Sequence, residues 1–314
     1  MREAIVTGGS GFIGSWLIQE LLANDYKVIA IVRDKNKLRP EFLKNANFRF
    51  IEKSIEDVGT DDFIEGHHDV FYHIAWSGVA PEEKNNVGLQ LHNIVIALKA
   101  LELANSLKTS RFISSGTVAE YALSTNIINL DARQTPNDMY GAAKVSAHFF
   151  LEIRARQLHQ HFNWVMIPST FGERRKDNNI LTYTITTLLK GQKPRYGDLQ
   201  QMWDFLYVGE VVRALRLIGE KGMDDKVYSI GSGEYHPLKY YIQTVRNLIN
   251  PMLPLGIGEI PSMSSKSYSS CVNIYDLIKD TGFIPQVSFE EGTKKTIDYY
   301  KTILGESGGC ANIE

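Results

Sequence analysis

The chain has 314 residues, enough for a large α/β core with a smaller appendage, and its 43% hydrophobic and 22% charged residues suit a globular fold. A formal charge of −2 with scattered Lys and Arg leaves no basic field for nucleic acid or an acidic membrane surface. Two cysteines, Cys271 and Cys310, exclude a disulfide scaffold; with no apolar run near 18 residues and a strand pattern from the start, a soluble cytoplasmic protein is expected, with no membrane span or targeting segment.

Residues 3–7 (EAIVT) predict a strand that runs through TGGSGFIG into a helix over 12–24. Gly8, Gly11 and Gly14 in that turn let backbone N–H groups approach a pyrophosphate, which the positive end of the helix stabilises. Further strands are expected at 27–32, 48–51, 69–74, 111–114 and 163–168, with helices at about 87–107 and 140–161. This alternation predicts βαβ units in a Rossmann-type, doubly wound parallel sheet. After about residue 170, Gly- and Pro-rich stretches separate shorter helices. A dinucleotide-binding domain is therefore expected over 1–170, and a smaller, mostly helical substrate-binding domain over 171–314.

The second strand ends IAIVRDKNK. Val32 stands where an NAD site places an acid for the ribose hydroxyl, and Arg33 follows, matching a 2′-phosphate in charge and geometry. This favours NADP(H). NAD(H) stays the alternative, since Asp34 can still reach a ribose.

Carbonyl reduction by a nicotinamide needs a proton donor, and a tyrosine serves when a lysine four residues on lowers its pKa. Tyr-x-x-x-Lys occurs as Tyr140/Lys144, Tyr235/Lys239 and Tyr275/Lys279. Only Tyr140 follows a predicted strand and opens a long helix, so Tyr140 and Lys144 are the expected pair. His67–His68 and His159/His161 lack carboxylate or cysteine partners at ligand spacing, and His73 reads as a core or cleft residue, so no metal is expected.

Taken together, TGGSGFIG at 7–14, VFYHIAW at 70–76, Asn93, RFISSGTVAEY at 111–121, YGAAK at 140–144, NNIL at 178–181 and WDFLYVGEV at 203–211 resemble the extended short-chain dehydrogenase/reductases, in their nucleotide-sugar epimerase, dehydratase and reductase branch. The resemblance implies Tyr140 as acid/base, Lys144 lowering its pKa and holding the nicotinamide ribose, and Asn93 supporting a proton-relay water. It implies a catalytic hydroxyl among Ser114, Ser115 and Thr117, with Thr117 preferred for standing four residues before Tyr121 and Ser115 the alternative. The cofactor would also meet Phe12, Ile13, Ser54, Ile55, Ile74, Ala75, Trp76 and Pro168. The substrate would meet Asn178 or Asn179 at its diphosphate, and Trp203 where relatives often carry an arginine; Arg174, Arg175, Lys176 or Arg195 are the basic residues that could replace it. A homodimer through the two long helices is implied, with His148, Phe149 and Phe150 on or near that face.

The family's dehydratases carry Asp-Glu after the catalytic threonine, whereas Thr117 is followed by Val118 and Ala119, neither of which exchanges a proton. With Arg33 favouring NADPH, the expected reaction is reduction of the C4 keto group of a 4-keto-6-deoxy nucleotide sugar. An NAD-dependent 4-epimerase is the alternative, and a non-catalytic NADP-sensing protein stands further off because Tyr140 and Lys144 are both intact.

Overall fold

A computed structural model describes residues 2–64, 66–261 and 269–307; Cys310 lies outside them. The first half runs β1 (Glu3–Thr7), α1 (Phe12–Ala23), β2 (Lys27–Val32), β3 (Phe48–Glu52), β4 (Val70–His73), α2 (Val87–Ser106), β5 (Arg111–Thr117), α3 (Met139–Leu158) and β6 (Phe162–Ile167). The second half follows as β7 (Ser169–Phe171), α4 (Ile180–Leu189), β8 (Arg195–Tyr196), β9 (Met202–Trp203), β10 (Phe205–Tyr207) and α5 (Val208–Lys221). It closes with β11 (Tyr228–Ser229), β12 (His236–Pro237), α6 (Leu238–Ile249), β13 (Gly256–Ile257), α7 (Tyr275–Thr281) and α8 (Phe289–Ser307).

Seven strands form one parallel sheet in the order β11-β6-β5-β4-β1-β2-β3, as the Rossmann expectation requires. Its central strands are buried along most of their length because both faces are covered. Ala4, Val6, Val28, Ala30 and Val32 turn to the α1 and α5 side, while Ile5, Ile29 and Ile31 turn to α2 and α3. Asn86 caps α2 by accepting the Leu89 N–H at 3.1 Å. Among the described residues α2 alone is long and apolar enough to cross a membrane, with mean hydropathy 1.3. A count of uninterrupted apolar runs does not register it. Its Ile94, Ala97, Leu101 and Ala104 are buried in the core beside α3.

A separate core unites α4, α6 and α8 through Leu181, Ile185, Tyr241, Ile242, Val245 and Ile297. The division expected at 170 is not a clean cut. Val211, Leu215 and Ile218 of α5 join the core of α1, and β11 pairs with β6, Tyr228 opposite Val165. The chain leaves the sheet after β6, builds part of the second lobe, and returns because one sheet face still lacks its apolar cover.

Candidate active site

β1 and β4 are neighbours at the point where strand order reverses, which is where open α/β sheets form a ligand crevice beyond their carboxyl ends. Gly8 leaves β1 at φ +75°, and a Cβ there would lie 2.8 Å from the Ala75 nitrogen. A Cβ on Gly14 would run into the Gly8 carbonyl oxygen. Gly11 N-caps α1 and brings no side chain to the first-turn N–H groups, which stay open to an anion. Phe12 and Ile13 are half-buried just inside the helix. This cradle fits the pyrophosphate of a nicotinamide dinucleotide. Sequence reasoning missed its brace: Thr7 Oγ1 accepts the Ala75 N–H at 3.3 Å and meets His73 Nδ1 at 2.9 Å. Burial, then the Lys144 charge, pushes His73 down to about 3, so it is neutral and shares a single hydrogen bond with the Thr7 hydroxyl.

The other expected cofactor residues follow the ends of successive parallel strands on the same sheet edge: Arg33 after β2, Ser54 and Ile55 after β3, Ile74 to Trp76 after β4, Pro168 after β6. Val32 is buried, and Arg33 is exposed with no hydrogen bond or ion pair among the described residues. Asp34 is committed to its own loop, where it caps the 3-10 turn Lys35–Lys37 by accepting the Asn36 N–H at 3.0 Å.

Asp138 caps α3 by accepting the Gly141 N–H at 2.7 Å, which sets Tyr140 in the first turn and Lys144 one turn later on the same face. Gly141 is needed for close approach: a Cβ would stand 2.6 Å from the Ala119 carbonyl oxygen. That contact seats α3 on the 3-10 turn Val118–Tyr121, which follows β5, and brings the Tyr140 phenol beside Thr117. Ser115 turns instead to Lys144, whose Nζ donates to its carbonyl oxygen at 2.6 Å and its Oγ at 3.3 Å. Ser114 is buried opposite His73 in the sheet. Of the three hydroxyls, Thr117 is the one beside Tyr140.

The expected effect of Lys144 on Tyr140 is not what the structure displays. The ammonium group is held by Ser115 and covered by the Trp76 ring at 3.8 Å, and Trp76 in turn sits edge-on to Tyr140, ring centres 6.3 Å apart. Burial, opposed by the Thr117 hydrogen bond, pushes the Tyr140 phenol up to about 12, so it holds its proton at neutral pH. Burial also pushes Lys144 down to about 7, against the pull of Glu120. Asn93 Oδ1 accepts the Ser77 N–H at 3.0 Å and its Nδ2 donates to the Ser77 carbonyl at 2.9 Å, so the amide also clamps the loop that carries Trp76.

On the substrate side, Asn178 is exposed at the head of α4. Asn179 caps that helix, accepting the Leu181 and Thr182 N–H groups at 3.0 and 3.2 Å, so its carbonyl oxygen is spent on the fold. Trp203 is half-buried 6.0 Å from Phe205, and its indole nitrogen is buried without a partner among the described residues. Of the four basic residues considered, Arg175 is the one whose charge reaches Tyr140; it pairs with Asp177 at 2.5 Å and stacks 5.4 Å over Phe12. Arg174 lies over Trp16 and Arg195 pairs with Glu259, while Lys176 is exposed. The other Tyr-Lys pairs are occupied elsewhere: Tyr235 donates to the Val272 carbonyl at 2.8 Å, and Tyr275 is exposed on α7. Among the described residues no cluster of His, Cys, Asp or Glu could hold a metal.

Residues 4–231 match the sequence profile of the NAD dependent epimerase/dehydratase family. A dTDP-4-dehydro-6-deoxyglucose reductase from Escherichia coli is 25% identical over 306 residues, spanning 93% of this chain and 96% of that one. The UDP-glucose 4-epimerase of Thermotoga maritima, solved with UDP-glucose, superposes with a TM-score of 0.81 at 25% identity, covering 96% of this chain and all 100% of the other. The UDP-glucuronic acid 4-epimerase of Bacillus cereus, a Y149F mutant with UDP-4-deoxy-4-fluoro-glucuronic acid and NAD, gives 0.86 at 22% identity over the same shares, a likeness of fold.

Proposed function

The chain belongs to the NAD dependent epimerase/dehydratase family of extended short-chain dehydrogenase/reductases, and on that premise we propose that it reduces the C4 keto group of a 4-keto-6-deoxy nucleotide sugar with NADPH. The end of β2 carries this reading. Val32 is buried where an acid would meet the ribose, Asp34 is spent on a turn, and Arg33 projects unpaired with the charge and fork a 2′-phosphate needs. The reductase relative in Escherichia coli supports the same direction.

When bound, the nicotinamide supplies the hydride. The chain's own groups do the rest. Tyr140 holds a proton at its hydroxyl for the keto oxygen, in the neutral state that a donor requires. Thr117 orients that hydroxyl, and Lys144 stands ready for the nicotinamide ribose. Asn178, exposed at the head of α4, is the donor for the diphosphate. A homodimer is supported by the outer faces of α2 and α3, where Leu91, Val95, Phe149, Phe150 and Ile153 are all exposed. His148 does not join them but stacks on Trp164 with ring centres 5.0 Å apart.

A second reading, a 4-epimerase that recycles bound NAD, is favoured by the likeness to UDP-sugar 4-epimerases and by a Thr/Tyr pair that serves either chemistry. The deciding experiment offers NADPH, then NADH, to the purified protein with a panel of 4-keto-6-deoxy nucleotide sugars. Stoichiometric loss of NADPH absorbance is expected, reduced about 10²- to 10⁴-fold in Tyr140→Phe. Absence of net oxidation, with C4 interconversion of nucleotide hexoses on bound NAD, would replace the reductase by the epimerase.

A further inference from the structure

Glu120 stands three residues after Thr117, in a position where the family resemblance assigns nothing. It is 1% exposed. Its Oε1 accepts the Thr117 N–H at 2.8 Å, and both carboxyl oxygens accept the Trp164 indole N–H at 3.3 Å. Thr117 Oγ1 in return accepts the Ala119 N–H at 3.2 Å, so the turn after β5 is tied from both ends. Gly116 makes the room, since a Cβ there would lie 2.7 Å from Glu120 Oε1.

Each of these partners is an obligate donor, and none can receive a carboxylic proton. That is the environment of an ionised carboxylate. A buried anion needs a nearby cation, and the cation it faces is Lys144, itself 2% exposed and, among the described residues, hydrogen-bonded to the neutral Ser115 alone. The Lys144 ammonium also lies 5.8 Å from the centre of the Trp164 ring whose N–H holds Glu120.

We infer that Glu120 is a positioning residue for the Thr117–Tyr140–Lys144 group: its carboxylate fixes the turn that presents Thr117 and supplies the counter-charge that keeps Lys144 an ammonium ion. The inference rests on the reading that Lys144 serves the reaction as a cation. The other titratable groups facing the pair are Tyr140 and His148 of α3, Tyr121 of the turn and His73 at the end of β4. Tyr140 and Tyr121 are neutral at pH 7, their phenols pushed up to about 12 by burial. Burial pushes both histidines down, His73 to about 3, so neither supplies a competing charge. Burial pushes Glu120 itself up to about 7, opposed first by the Thr117 N–H, then by the Lys144 charge and the Trp164 N–H.

Glu120→Gln keeps the shape and an acceptor for the Thr117 and Trp164 N–H groups and removes only the charge. The test labels lysine with ¹³C at Cε, assigns Lys144 by its loss in Lys144→Met, and follows its midpoint with pH in the purified protein. A fall of at least about one pH unit in Glu120→Gln is expected, and the alkaline limb of kcat should move to lower pH with it. An unchanged Lys144 midpoint overturns the inference, because a purely structural role lowers thermal stability and kcat at every pH without moving it. If Glu120→Gln does not fold, the reciprocal reading decides: in Lys144→Met the Glu120 carboxyl must bind its proton more tightly by a similar amount, and an unmoved Glu120 overturns the inference equally. Failure of every sugar in the panel would count against the proposed reaction alone, since the Lys144 midpoint needs no turnover.

Discussion

Gly141→Ala adds one methyl group to α3 and should damage turnover far more than stability. The new Cβ would stand 2.6 Å from the Ala119 carbonyl oxygen and 3.1 Å from Pro136 Cβ, where ordinary contact begins at 3.4 Å. The helix start must therefore lift off the Val118–Tyr121 turn by about 0.8 Å. Overpacking of this kind costs about 1–3 kcal/mol, and alanine in place of glycine in a helix returns up to about 1 kcal/mol, leaving a net loss of roughly 0–2 kcal/mol. The same lift separates Tyr140 from Thr117, and a displacement near 1 Å between reacting groups costs up to about 10²-fold in rate. Gly88→Ala in the first turn of α2 is the control, because its Cβ would meet only Asn86 Oδ1, at 3.8 Å. Thermal unfolding and steady-state reduction should be measured on both variants. Gly88→Ala should be as active as the wild type and as stable or more so. A Gly141→Ala variant with wild-type kcat would refute the claim that this contact seats Tyr140 against Thr117.

Arg33→Ala should raise KM for NADPH by about 10- to 100-fold, the worth of a charged hydrogen-bonded pair, and leave KM for NADH unchanged. Asp34→Ala should leave the preference between the two intact, since Asp34 serves its own turn. For His73, the unfolded side chain takes a proton near 6.5 while the folded one resists to about 3, so stability falls as pH drops through that window, by up to about 1.4 kcal/mol per pH unit. Glu120 and Asp204, pushed up to about 7 and about 6 by burial, act in the opposite sense, so the comparison that isolates His73 is urea unfolding of His73→Gln against wild type between pH 4 and 6.5. A variant curve parallel to the wild type would remove His73 from the account. Phe149→Glu combined with Ile153→Glu places two charges on the exposed apolar face of α3 and should convert a dimer to monomers by light scattering, with Tm little changed.

The sheet was legible in the sequence because most of its strands carry short apolar, β-branched runs and long helices separate several of them. The glycine turn was legible because each glycine answers a backbone demand that no other residue meets. β5 was read three residues short: Ser115, Gly116 and Thr117 look like a loop, yet they pair with Val165, Met166 and Ile167. Their polarity is explained only by partners distant in sequence, Lys144 for Ser115 and Tyr140 for Thr117. Asn179 shows the converse, a residue assigned to the ligand whose N-cap role follows from the apolar helix directly after it. Glu120 left a readable trace, the Thr-x-x-Glu spacing of a capping box, but its burial against Trp164 and Lys144 is a tertiary fact. The packing of Trp76 against both Lys144 and Tyr140 is tertiary too, arising from the loop that Asn93 clamps.

The return of β11 to the edge of β6 bears on any attempt to graft this protein's specificity onto a relative. The lobe that carries Asn178 and Trp203 is built from two stretches, one inserted between β6 and β11 and one that follows β11. A fragment stopping at residue 170 would leave the apolar Val165–Met166 backbone as an open edge and strip the face that α5 covers, an invitation to strand-to-strand aggregation. A working chimaera must instead exchange two separate segments, one before β10 and one after β11, and keep residues 205–230 with the recipient sheet.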